Sequence, residues 1–237
     1  MLKGVLFVAF VLFYSANSAC SITYSTYGVE VTQSAGVQLE ERFKCLKSNG
    51  KRFFMNQNLD AEGVTSSAFT QNYKHAISAG IEFIDAYATI CNIDTTSTEI
   101  CRKVSNALPS KFKGQVWLDI SAEENCWTGS SEQRLSFVEN VANDCTMMGM
   151  SVGIKSDAES WYYAFGGYSA TSPLLKKLQL WYSDLSKETP CRSDFSDQPF
   201  GGWALTENEK GPKEGRKVKS YKNSKSFCGL PLTWVAY

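Results

Sequence analysis

The 237-residue sequence contains a single histidine, His75, and that scarcity removes several kinds of chemistry. One imidazole among irregularly spaced cysteines argues against a zinc cluster. His75 lies between Lys74 and Ala76 on a predicted helix, with no serine or cysteine motif near it and no nucleophile elbow anywhere, so nothing invites a catalytic triad. Net charge is also missing: 24 Lys and Arg balance 24 Asp and Glu, which argues against a general nucleic-acid binder. Apolar runs long enough to span a membrane are absent, the only near candidate being the first residues of the chain. No Asn-x-Ser/Thr triplet occurs, so N-glycosylation is not expected, and no internal repeat is visible.

What is present begins with an address. Met1-Leu2-Lys3, the apolar run Gly4 to Tyr14 and the small residues Ser15 to Ala19 form the three parts of a secretory signal peptide, with cleavage expected near Ala19. The rest, residues 20–237, fits one domain. All eight cysteines lie in it: Cys20, Cys45, Cys91, Cys101, Cys126, Cys145, Cys191 and Cys228. An even number in an exported chain implies disulfides. Cys91 and Cys101 bracket a short polar loop after a strand and are the pair expected from proximity in sequence.

Hydrophobic periodicity sets the architecture. Strands are expected at Tyr27 to Val31, Arg52 to Asn58, Ile81 to Ala88, Val116 to Ser121, Ser151 to Lys155 and Leu178 to Tyr182. Helices are expected between them, the longest from Ser131 to Cys145 with Ser130 or Ser131 as its cap. Strands joined by helices run parallel with right-handed crossovers, which predicts an α/β fold, a parallel β/α barrel or open sheet. The last third changes rhythm, with short strands expected at Pro199 to Ala204, Lys217 to Lys222 and Leu232 to Tyr237. About 218 residues after cleavage is tight for a full eightfold barrel of about 250, so an irregular, truncated barrel fits better.

Chemistry in such folds collects at the carboxyl ends of the strands. Glu30, Asp85 and Asp119 fall near the ends of successive strands and would converge on one mouth. Glycosidases work with two carboxyls, one protonated to help the leaving oxygen and one ionised to steady positive charge or activate water. Tyr87, Trp117, Trp181, Tyr182 and Trp203 lie on or just beyond strand ends, where aromatic faces suit sugar rings or simply fill a core. A basic stretch, Lys210, Lys213, Arg216, Lys217, Lys219, Lys222 and Lys225 against Glu214, is either a solvated hairpin or a surface for an anionic partner such as a bacterial wall.

In order and spacing, Tyr27-Gly28-Val29-Glu30-Val31, Phe83-Ile84-Asp85-Ala86-Tyr87, Val116-Trp117-Leu118-Asp119-Ile120, Ser151-Val152-Gly153-Ile154, Leu180-Trp181-Tyr182, Gly201-Gly202-Trp203 and Val218-Lys219-Ser220-Tyr221 resemble the secreted lysozymes of glycoside hydrolase family 25, in their nematode and protist form. The resemblance implies an irregular β/α barrel that cleaves peptidoglycan after N-acetylmuramic acid without a metal or other cofactor. A monomer is expected, with Asp85, Tyr87, Trp181, Tyr182 and Trp203 as the candidate substrate-binding side chains.

At the catalytic positions the sequence departs from that pattern. The family's Asp-x-Glu, with glutamate as the acid, is here Asp119-Ile120-Ser121, and a serine hydroxyl cannot donate as a carboxylic acid does. Glu30 replaces the first-strand aspartate, Gln57 an arginine and Lys155 a tyrosine, and no acid precedes Trp234. Glu123 keeps the facing of Ser121 if the strand runs on, which makes it the candidate substitute acid. Two function classes stay open: a peptidoglycan hydrolase weakened at its catalytic residues, and a non-hydrolytic glycan-binding or regulatory protein on the same barrel. An unrelated secreted parallel α/β protein is the reading outside the family.

Overall fold

The protein is described from a computed structural model, over residues 27–123, 126–167, 172–183, 218–222, 228–230 and 233–236. Eight strands close into a barrel in chain order. They are β1 (Tyr27–Val31), β2 (Lys51–Leu59), β3 (Phe83–Thr89), β4 (Gln115–Asp119), β5 (Ser151–Ser156), β6 (Gln179–Ser183), β7 (Val218–Lys222) and β8 (Thr233–Ala236). Five helices pack outside: α1 (Glu40–Ser48), α2 (Phe69–Ser78), α3 (Ser97–Ala107), α4 (Ser131–Met147) and α5 (Ala158–Phe165).

Strands β1 to β7 pair in parallel, as helical crossovers require. The eighth strand runs antiparallel to both β7 and β1. A parallel crossover needs about a dozen residues or more. Lys222 and Thr233 are closer than that in sequence, so β8 can only turn back. That reversed strand closes the barrel and makes it irregular. The expected strand at Pro199 to Ala204 lies outside the described residues.

Alternation along each strand separates two cores. On β4, Val116 and Leu118 point outward with Ile120 just beyond them, into the layer shared with α3, α4 and α5, while Trp117 points inward. The barrel interior is aromatic: Phe53, Met55, Tyr87, Trp117 and Trp181, each almost wholly buried. Burial of a large apolar side chain is worth about 1.5–3 kcal/mol, so this inner cluster contributes substantially to closure. Local signals mark the helices. Ser130 and Gln133 form a reciprocal capping box on α4, and Asp157 caps α5, which ends at Gly166 in the left-handed conformation (φ 69°).

The expected Cys91–Cys101 bridge does not form. Cys91 pairs with Cys126, joining the loops that follow β3 and β4, and Cys101 pairs with Cys145, joining α3 to α4. The reason is facing. Cys101 shares the buried side of α3 with Ile100 and Val104, and Cys145 shares that of α4 with Val141 and Ala142. Cys91 instead ends up beside its neighbour across the strand pair. Cys45 on α1 pairs with Cys228, while Cys20 and Cys191 lie outside the described residues.

The Cys101–Cys145 bridge spans 44 residues of sequence. Replacing both with alanine is expected to cost about 2–5 kcal/mol of unfolding free energy, measured by denaturant titration. Peptide mapping of the intact chain should recover Cys91 with Cys126, and an unchanged unfolding midpoint would contradict the helix-to-helix staple.

Candidate active site

Three strands deliver charge to the barrel mouth. On β1, Val29 and Val31 are buried outward, so Glu30 faces in. On β5, Val152 and Ile154 belong to the outer core, so Gly153 and Lys155 face in. Asp119 is the last residue of β4, in register with Thr89 on one side and Lys155 on the other. Gly153 is required for space: a Cβ there would lie 2.6 Å from two ring carbons of Trp117.

The Lys155 ammonium sits between the two carboxylates, 3.0 Å from Glu30 Oε1 and 3.0 Å from Asp119 Oδ2. Those two oxygens share one cation and therefore lie no more than about 6 Å apart. All three side chains are nearly buried, at 10%, 10% and 14% exposure for Lys155, Glu30 and Asp119. The same ammonium stands 4.2 Å from the centroid of the Tyr87 ring and 4.9 Å from that of Trp181.

Burial pushes the Asp119 carboxyl up, Lys155 pulls it back only in part, and Glu30 adds to the upward push. Burial works against the Lys155 charge as well, yet Asp119 and Glu30 outweigh it and hold the ammonium above the ordinary lysine range. The Tyr87 hydroxyl is pushed well up, first by burial and then by Glu30 and Asp119. A polar chain fixes the rest. The Gln33 backbone N–H donates to Gln57 Oε1 (2.9 Å), Gln57 Nε2 donates to Thr89 Oγ1 (3.1 Å), and that hydroxyl donates to Asp119 Oδ2 (3.3 Å).

The other residues singled out by sequence are dispersed. Asp85 does not join the mouth. Its carboxylate accepts from the backbone N–H of Gln115, the first residue of β4, and from Trp117 Nε1, whereas Asp119 is the last residue of that strand. Asp85 therefore anchors the indole from below. Tyr87 and Trp181 are walls under the Lys155 ammonium rather than open sugar platforms. Tyr182 lies on β6, its side chain outside the description, and Trp203 lies outside the described residues.

Because β4 ends at Asp119, its alternation does not extend to Glu123, which is exposed in the loop. Burial, with Glu62, Asp119 and Asp60 nearby, raises its carboxyl. The Ser121 carbonyl accepts from Trp127 Nε1 (3.0 Å), while its buried hydroxyl has no partner among the described residues. His75 is structural, its ring bonded to the Gln38 carbonyl and to Gln71.

Lys155 is the residue that sequence reading placed as a departure from a pattern without seeing its partners. The signal was there in the parity of β5. A cavity of about 190 Å³ adjoins the mouth, lined in part by Asp60, Glu62, Thr89, Asp94 and Lys103. Among the described residues, no group of three or more His, Cys, Asp or Glu is placed to hold a metal ion, and no helix is long and apolar enough to cross a membrane.

A closed β/α barrel with two carboxylates near the carboxyl ends of its strands is an architecture that barrel glycoside hydrolases share with many other proteins. A muramidase from Acremonium alcalophilum has the same fold, with a TM-score of 0.65 at 15% identity over 89% of this chain and 92% of that one. Among curated sequences, the chain is similar to a probable GH family 25 lysozyme 2 of Dictyostelium discoideum, 28% identical over 87% of this chain and 89% of the relative. It is also similar to lysozyme-like protein 5 of Caenorhabditis elegans, at 27% identity over 84% and 86%. The family model described as Lysozyme-like protein 1 matches residues 21–209, and the chain belongs to that lysozyme-like family.

Removing the central cation is expected to be costly. Lys155→Met leaves two carboxylates facing each other in a buried mouth, and breaking a buried pair typically costs about 3–5 kcal/mol. In that variant only the Thr89 hydrogen bond still opposes the upward push of burial on Asp119, so its folded pKa rises further above the unfolded value of about 3.9. An acid raised in the folded state binds protons on folding, so stability recovers as pH falls through the folded pKa. Unfolding titrations should show the deficit of Lys155→Met narrowing from neutral pH toward about pH 4.

Proposed function

We propose that the protein is a secreted, lysozyme-like protein that engages bacterial cell-wall peptidoglycan, in defence or digestion, with hydrolysis weakened or lost. The signal-peptide pattern and the disulfides support secretion, and the family supports the wall as the ligand class. One observation carries the weakened activity: the Lys155 ammonium bridges Glu30 and Asp119 where a glycosidase needs negative charge free to act.

The reasoning is electrostatic. Glycoside cleavage passes through an oxocarbenium-like transition state, and carboxylates help by meeting the positive charge that develops. Here that negative charge is already met by a fixed cation, which would also repel the developing one. Ser121 removes the proton donor as well, and general acid catalysis is typically worth about 10²–10⁴-fold. Glu123 could supply a proton, its carboxyl being raised, but it stands in the loop beyond the strand. A non-enzymatic glycan-binding or regulatory role on the same barrel follows if hydrolysis is wholly absent.

The test is a wall-clearing assay beside a pull-down on insoluble peptidoglycan. The natural chain should be retained on the wall and clear it at least about 10²-fold more slowly than a family member with the acid in place. Ser121→Glu alone should recover little while the Lys155 ammonium still holds Glu30 and Asp119. Ser121→Glu together with Lys155→Tyr should recover more. Robust clearing by the natural chain, abolished by Glu123→Gln, would overturn the reading and make Glu123 the acid. Neither clearing nor retention would place the function on another surface.

A further inference from the structure

We propose that the barrel mouth is a preformed binding box for a primary ammonium group, and that this chain fills it with its own Lys155 as a tethered internal ligand. The box is made by groups on four other strands: Glu30 on β1, Tyr87 on β3, Asp119 on β4 and Trp181 on β6. Lys155 enters from β5, so the four walls come from strands other than the one that carries the side chain they hold.

Each wall has its own support. Asp119 is held by Thr89, which is held by Gln57. Tyr87 and Trp181 meet edge to face at 5.9 Å, and Trp181 meets Trp117 in the same way at 5.7 Å. Trp117 is fixed in turn by Asp85. Two carboxylates supply charge-assisted hydrogen bonds, and two ring faces supply cation–π attraction. Together they select an ammonium over a neutral alcohol of the same shape.

Cutting Lys155 back to alanine removes three methylenes and the amine, the shape of n-propylammonium. Lys155→Ala should therefore bind n-propylammonium saturably, read as a rise in melting temperature and a change in tryptophan fluorescence. Its affinity should exceed that for n-propanol at least tenfold, and it should fall at least tenfold when Glu30→Gln is added. The natural chain and Lys155→Met, whose side chains fill the space, should not respond.

Equal responses to amine and alcohol, no response, or an equal response from the natural chain would overturn the proposal. If Lys155→Ala does not fold, proton NMR of the natural chain decides. The Lys155 ε-methylene should be shifted upfield by the Tyr87 and Trp181 ring currents, and a signal at the ordinary lysine position would refute the box. The proposal rests on the geometry of the mouth, so the amine can bind even where wall retention fails.

Discussion

The ammonium of Lys155 between Glu30 and Asp119 is the constraint on which the mouth depends. Three charged groups taken nearly out of water are tolerable only because each finds its partner at 3.0 Å. The arrangement leaves one net negative charge among these three, spread over groups that are themselves hydrogen-bonded or stacked. The surrounding structure is shaped to permit it. Gly153 gives up its side chain so that Trp117 can fill the interior, Trp117 props Trp181, and Trp181 with Tyr87 presents ring faces to the cation. Asp85 binds the indole nitrogen and closes the stack from below.

The loops that rise from this floor are tied together. Cys91–Cys126 joins the segments after β3 and β4. Asn92 adds to that link, accepting from the Thr128 backbone N–H at 2.7 Å and donating to the Thr128 carbonyl at 2.9 Å. The Ile90 N–H donates to the Asp119 carbonyl, and Trp127 Nε1 to that of Ser121. A mouth fixed by so many cross-links has its shape before any ligand arrives, and preorganisation of that kind favours binding whether or not a bond is then broken.

Most of the scaffold was legible in the sequence because it rests on period. Strand alternation and helical spacing place β1, β5 and α4 within a residue or two, since burying one face is the same physical demand in every segment. What failed was information that period does not carry. Alternation tells which face Asp85 takes and not how high it sits, so the sequence groups it with Asp119 although on β3 it lies level with Gln115, the first residue of β4. The Cys91–Cys101 expectation used distance along the chain, whereas Cys101 follows the buried stripe of α3 toward α4. The late strands β7 and β8 are legible as short strands at Lys217 to Lys222 and Leu232 to Tyr237, but their opposite directions depend on the length of the link between them.

Lys155 shows why a site is harder to read than a fold. Taken singly, Ser121 offers no acidic proton and Lys155 is a cation on an inward position. Taken together, both changes act in one direction, away from negative charge at the mouth. A carboxylic acid at position 121 would add a group whose work depends on holding and releasing a proton, and an ammonium fixed nearby would favour its ionised form. Conversely, without an acid to protect, a lysine on β5 meets two carboxylates that need a partner, and the pairing satisfies all three. The charge at the mouth is thus settled by the pairing of Lys155 with Glu30 and Asp119, and any proton donor placed beside them would have to work against that pairing.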